Sequence, residues 1–109
     1  NSIAAVEALL LHPKFDIKAP NAIRAVLGGF ISNALAFHSS DGKGYMFLAE
    51  QVIRLDKRNP ITASRIVKIF SRWKKYINPH KNLMYEAIER ISQANLSSNS
   101  REVIELILN

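Results

Sequence analysis

This sequence predicts an all-α fold of about six short helices, stacked as antiparallel hairpins in a HEAT/armadillo-like superhelical array. Three observations carry the prediction. Apolar residues recur at intervals of three and four along most of the chain. No segment alternates apolar and polar residues with the period of two that a half-buried strand shows. Pro13, Pro20, Pro60 and Pro79 cut the pattern into helix-length pieces, and the two Asn-Pro junctions fall about 19 residues apart, the rhythm of a helical repeat. Connections of a few residues then force neighbouring helices to lie antiparallel.

The first helix opens with Ser2 as N-cap, carries Ile3, Val6, Leu9 and Leu10, and stops before Pro13, because proline lacks a donor and disfavours helix at His12. The second starts at Ala19-Pro20-Asn21, and its Ile23, Val26, Leu27, Phe30 and Ile31 fit the amphipathic template. Gly28 and Gly29 lie inside it at a cost of about 1 kcal/mol each relative to alanine, which points to a close approach by a neighbouring helix or chain. Ser39, Ser40 and Asp41 are N-cap candidates for the third helix, with Gly42 and Gly44 as its hinge and Tyr45, Leu48, Ala49, Val52 and Leu55 on one face. Lys57 and Arg58 suit the negative end of its dipole.

Asn59-Pro60 opens a fourth helix running to Tyr76, with Thr62, Ile66, Ile69, Phe70, Trp73 and Ile77 as its apolar stripe. Asn78-Pro79 repeats the stop-and-restart signal, and the fifth helix turns Met84, Ala87, Ile88 and Ile91 inward. The polar break from Ser97 to Ser100 precedes a last helix carrying Val103, Ile104, Ile107 and Leu108.

A length of 109 residues supports one domain, residues 1–109, with a modest core. Asn1 in place of an initiator methionine reads as a piece cut from a longer polypeptide or a processed product. The absence of cysteine rules out a disulfide framework or a thiolate zinc site and suits a reducing, cytoplasmic setting. Apolar runs such as Ala8 to Leu11 fall far short of the roughly 18 residues of a membrane span, so no membrane partner is expected. The net charge of +6 is concentrated: from Arg54 to Lys81 nine cations accompany one acid, Asp56, while the rest of the chain holds six cations and eight acids.

No catalytic or metal-binding set stands out. His12, His38 and His80 are far apart and none has a second ligand one helical turn away, so no metal is expected in this chain. An isolated loop histidine such as His38 more naturally holds its loop by hydrogen bonds. Asp41-Gly42-Lys43-Gly44 looks like half a phosphate loop, but it lacks the G-K-[ST] end and a preceding strand, so a turn and helix cap is the better reading. Glu86 and Glu89 belong to a mixed-charge, solvated run. Arg65, Lys68 and Arg72 share one helical stripe that a phosphate backbone could use, with Trp73 and Tyr76 near enough to stack bases, although Trp73 is in register with the core.

Three strings, "HPKFDIKAPNAIRAVLGGF", "AFHSSDGKGYMFLAEQVIRLDKRNP" and "ASRIVKIFSRWKKY", resemble the C-terminal helical domain of bacterial-type aminopeptidase N, the alanyl-aminopeptidase family of zinc metallopeptidases. The resemblance runs in order from about Leu11 to Leu108. It implies a fragment of a larger aminopeptidase whose separate catalytic domain holds zinc on H-E-x-x-H and a downstream glutamate, and the substrate amine on G-x-M-E-N; none of these motifs is in this sequence. It implies further that this domain closes over the catalytic cavity and controls peptide access, with the other domains of the same polypeptide and the peptide as its partners. Arg24 of P-N-x-x-R and Arg65 of A-S-R match family motif positions and would bind the peptide's C-terminal carboxylate; an inter-helix salt bridge is the competing role for each. Around "ISNALAFH" the family pattern implies a slightly longer turn with a proline. The alternative to the aminopeptidase reading is a freestanding helical-repeat module that binds nucleic acid through Arg65, Lys68 and Arg72.

Overall fold

The computed structural model describes residues 2–16 and 18–109, and every regular element among them is helical; Asn1 and Ile17 lie outside the described residues. Seven α-helices and one 3-10 helix replace the six expected helices. They form a slab of 39 × 31 × 18 Å, and its thin dimension fits two layers of helices at the usual interaxial spacing of about 8–10 Å.

Helix α1 (Ile3–Leu11) begins where Ser2 Oγ accepts from the Ala5 N–H at 3.2 Å, and it buries Val6 and Leu10 but leaves Leu9 exposed. Helix α2 (Pro20–Ser32) has proline at its first position and buries Ile23, Leu27 and Phe30. A Cβ placed on Gly28 would meet nothing within 4 Å, so the close approach expected there does not occur within this chain.

Asn33 ends α2 and caps α3 (Ala34–Phe37), a single turn where the sequence suggested only a connection. That turn drives Phe37 into the core, where its ring meets the edges of Phe30 and Tyr45 at centroid distances of 6.1 and 5.1 Å. Helix α4 (Lys43–Asp56) follows. Its cap position is Gly42, with φ of 76°, in place of any of Ser39, Ser40 and Asp41; Asp41 still accepts from the Lys43 N–H at 2.9 Å. A side chain at Gly44 would fall 2.2 Å from the Ala36 carbonyl oxygen, so glycine there lets α3 end against the start of α4. The expected inward face of Tyr45, Leu48, Ala49, Val52 and Leu55 is buried.

Asn59 Oδ1 accepts from the Thr62 N–H at 3.3 Å and starts α5 (Pro60–Ile66). The continuous helix expected to Tyr76 is not formed. A 3-10 helix, Val67–Lys75, takes over, and the backbone leaves helical geometry at Arg72 with φ of −99° and ψ of 17°. With about three residues per turn, side chains three apart eclipse, and the buried set becomes Val67, Phe70 and Trp73. Ile69 and Ile77, assigned to the core by a 3.6-residue period, are exposed instead.

Helix α6 (His80–Ser92) buries Met84, Ala87, Ile88 and Ile91 as its pattern requires. Helix α7 (Ser98–Leu108) is capped by Ser97 Oγ, which accepts from the Ser100 N–H at 3.2 Å, and it buries Ile104 and Ile107. Helix α4 is the centre of the stack, packing on α5 and α6; α7 closes one end against α5 and the 3-10 helix, and α1 with α2 closes the other. No helix among the described residues is long and apolar enough to cross a membrane.

Candidate functional site: two exposed arginines and a polar junction

The fixed φ of Pro20 sets the first turn of α2, and Arg24 follows one turn later, exposed, its Nε–H donating to the Pro20 carbonyl at 3.3 Å. That contact occupies the inner edge of the guanidinium and leaves the terminal nitrogens for a ligand. Arg65 stands in the last turn of α5, also exposed, and makes no hydrogen bond or ion pair among the described residues. The single ion pair among the described residues joins Arg90 to Glu50 at 2.8 Å, so neither Arg24 nor Arg65 serves as an inter-helix salt bridge. Because α2 packs on α5, the two cations sit on neighbouring helices.

The basic stripe does not keep its expected form. Arg65 belongs to α5, whereas Lys68 and Arg72 belong to the 3-10 helix, where a four-residue step rotates the side chain by about 120°. All three are exposed. Trp73 is buried, its Nε1–H donating to the Ile107 carbonyl at 3.0 Å, so its faces are not free to stack on a base. Glu89 accepts from the Tyr85 hydroxyl at 3.0 Å on the exposed side of α6, the ordinary surface role expected of this run.

Two polar clusters escape a local reading of the sequence. Asp56, buried at the end of α4, accepts from the Ser97 N–H at 2.6 Å, from Ser97 Oγ at 2.7 Å and from Ser100 Oγ at 2.6 Å. His38 and His80, 42 residues apart, meet: His80 Nε2–H donates to the His38 carbonyl at 3.0 Å, and the rings lie 6.3 Å apart. His38 Nδ1 is hydrogen-bonded to the Tyr45 hydroxyl, and its ring stacks on Tyr76. Burial, then the neighbouring His80, pushes the His38 imidazole below its ordinary value, and burial pushes the Tyr45 phenol up to about 12. No three His, Asp or Glu side chains converge as metal ligands among the described residues.

An open groove of about 510 Å³ lies away from both arginines between the start of α1 and the turn before α4. Its lining mixes the apolar Ile3, Ala4, Leu35 and Ala36 with polar side chains that include Ser39, Asp41 and Lys43. Asp41 in that turn spends its carboxylate on the Lys43 N–H and Ser39 Oγ, which hold its pKa low, so the half-loop caps a helix instead of cradling phosphate.

Comparison with known proteins bears on these features. The family model described as "Domain of unknown function (DUF3458_C) ARM repeats" matches residues 1–109. An aminopeptidase N of Escherichia coli is 40% identical over 106 residues, covering 95% of this chain and 12% of that protein. An aminopeptidase N of Haemophilus influenzae is 36% identical over 110 residues, covering 99% of this chain and 13% of that protein. A crystal structure of Legionella pneumophila aminopeptidase A in complex with aspartic acid superposes with a TM-score of 0.88 at 36% identity, over 97% of this chain and 12% of that one. The chain thus spans about an eighth of the relatives it matches.

Proposed function

The chain belongs to the DUF3458_C ARM-repeat family, and from that premise we propose that it is the non-catalytic C-terminal wall of a larger aminopeptidase. In this reading the wall caps the catalytic cavity and admits peptides to it, while the enzyme releases their N-terminal residues. The expected zinc belongs to a catalytic domain elsewhere in the same polypeptide, where it would supply activated water. A cytoplasmic setting is part of the same proposal.

The carrying observation is the pair of exposed arginines, Arg24 and Arg65, on packed neighbouring helices and without acidic partners among the described residues. A guanidinium grips a carboxylate through two parallel N–H donors. A peptide with its amine at the reactive centre and its C-terminal carboxylate toward the wall would find such donors there. An amino-acid amide has no carboxylate to offer. The wall therefore contributes attraction and orientation, with the chemistry done elsewhere.

The test is kinetic, in the intact polypeptide. Arg24→Ala or Arg65→Ala is expected to raise KM for tri- and tetrapeptides by about tenfold, the equivalent of about 1.4 kcal/mol and the lower end for a charge-assisted hydrogen bond. KM for single amino-acid amides should stay as it was. Equal effects on both substrate classes would overturn the carboxylate role. The nucleic-acid reading gains no support from the buried Trp73 or the broken basic stripe.

A further inference from the structure

We propose that His38 and His80 form an acid-sensitive latch that ties the turn before α4 to the start of α6 and opens when His38 takes up a proton. The latch follows from where hydrogens must lie. Tyr45 is 0% exposed, and its hydroxyl has no partner among the described residues other than His38 Nδ1. A buried hydroxyl needs an acceptor for its hydrogen. The Tyr45 O–H therefore donates to Nδ1, which fixes neutral His38 with its proton on Nε2. A second proton on the ring must go to Nδ1. The bond then reverses, with Nδ1–H donating to the Tyr45 oxygen, and the Tyr45 hydrogen is left in the core without an acceptor.

The surroundings of His38 offer that charge no compensation. Tyr45 faces it from α4, Tyr76 from the end of the 3-10 helix and His80 from α6, with Phe37 beside it on its own segment. None of these carries a carboxylate. Asp41, on the same turn, is committed to Ser39 and Lys43. His80 Nε2 is held as a donor by the His38 carbonyl, and its ring lies 6.3 Å from that of His38. The contacts at risk are the stacking that holds Tyr76 and the hydrogen bond that holds the first turn of α6.

The sign follows from linkage. His38 is pushed below the ordinary imidazole value of 6.5, by burial first and by His80 second. The folded junction then binds fewer protons than the opened one in the interval below that value. Its stability is complete above 6.5 and falls as pH drops through the interval toward the lowered folded-state value.

The test is hydrogen–deuterium exchange by mass spectrometry on the intact polypeptide, with amide rates corrected for intrinsic pH dependence. Protection across residues 38–45 and 76–83 should fall between pH 7.5 and 5.5, by about tenfold for each pH unit of depression. Protection in α7 should hold steady. His38→Gln keeps an oxygen acceptor for Tyr45 and cannot titrate, so its profile should be flat. Should that variant fold poorly, His80→Gln keeps the donor to the His38 carbonyl and removes the neighbouring imidazole. It should raise the His38 midpoint, read from exchange of the imidazole C2 hydrogen. Identical pH profiles for wild type and His38→Gln, or a His38 midpoint at or above about 6.5, the free-imidazole value, would overturn the latch.

Discussion

Asp56 is the residue whose role differs most from its local sequence. In "RLDKRN" it reads as a lone acid among cations, yet it is 3% exposed and accepts three hydrogen bonds from Ser97 and Ser100. Those bonds fasten the last residue of α4 to the first turn of α7, and a carboxylate acceptor makes each stronger than a neutral pair would be. Asp56→Ala would orphan two buried or half-buried serine groups and one N–H, and we expect a loss of about 2–4 kcal/mol, a few charge-assisted bonds partly offset by water entry. Urea unfolding checks this; a loss under about 0.5 kcal/mol, the range of ordinary surface substitutions, would show that α7 docks without it. The sequence could not disclose the role because the partner lies 41 residues away in an S-x-x-S cap that looks complete in itself. His38 and His80 were hidden for the same reason. Arg24 and Arg65 were singled out by their motif positions alone, and neither has an acidic partner among the described residues.

At the scale of elements, legibility followed the backbone period. Helices α4 and α6 bury the faces their patterns name, because a regular α-helix converts spacing into direction. The stretch after Ile66 failed because Val67, Phe70 and Trp73, spaced by three, suit a 3-10 helix. The short α3 went unseen because one turn carries too few residues to show a period. The glycines divide along the same line of local against non-local cause. Gly28→Ala should stabilise the fold by about 0.5–1 kcal/mol, since the added Cβ meets nothing within 4 Å and the helix gains a better former. Gly44→Ala should do the reverse, because its Cβ would stand 2.2 and 2.3 Å from the carbonyl oxygens of Ala36 and Phe37, backbone atoms that cannot swing aside. Thermal denaturation of the two variants should move in opposite directions; a shared direction would mean that helix propensity, or packing, decides both sites alone.

As a whole the chain forms a plate 18 Å thick and 39 Å long, which on the proposed reading would close a cavity formed by other domains. Arg24 and Arg65 are exposed, and the chain matches about an eighth of the larger aminopeptidases. An access wall and a structural brace then make opposite predictions when the plate is removed. For a wall, the polypeptide without these 109 residues keeps its activity on amino-acid amides, which pass any opening. Its kcat/KM on peptides of roughly ten or more residues rises by about tenfold relative to the amide, the equivalent of removing about 1.4 kcal/mol of access barrier. The amide is the internal control for a folded reactive centre. If activity on the amide disappears together with activity on peptides, the plate supports the catalytic body, and its part in selecting peptide length is lost with the argument for a wall.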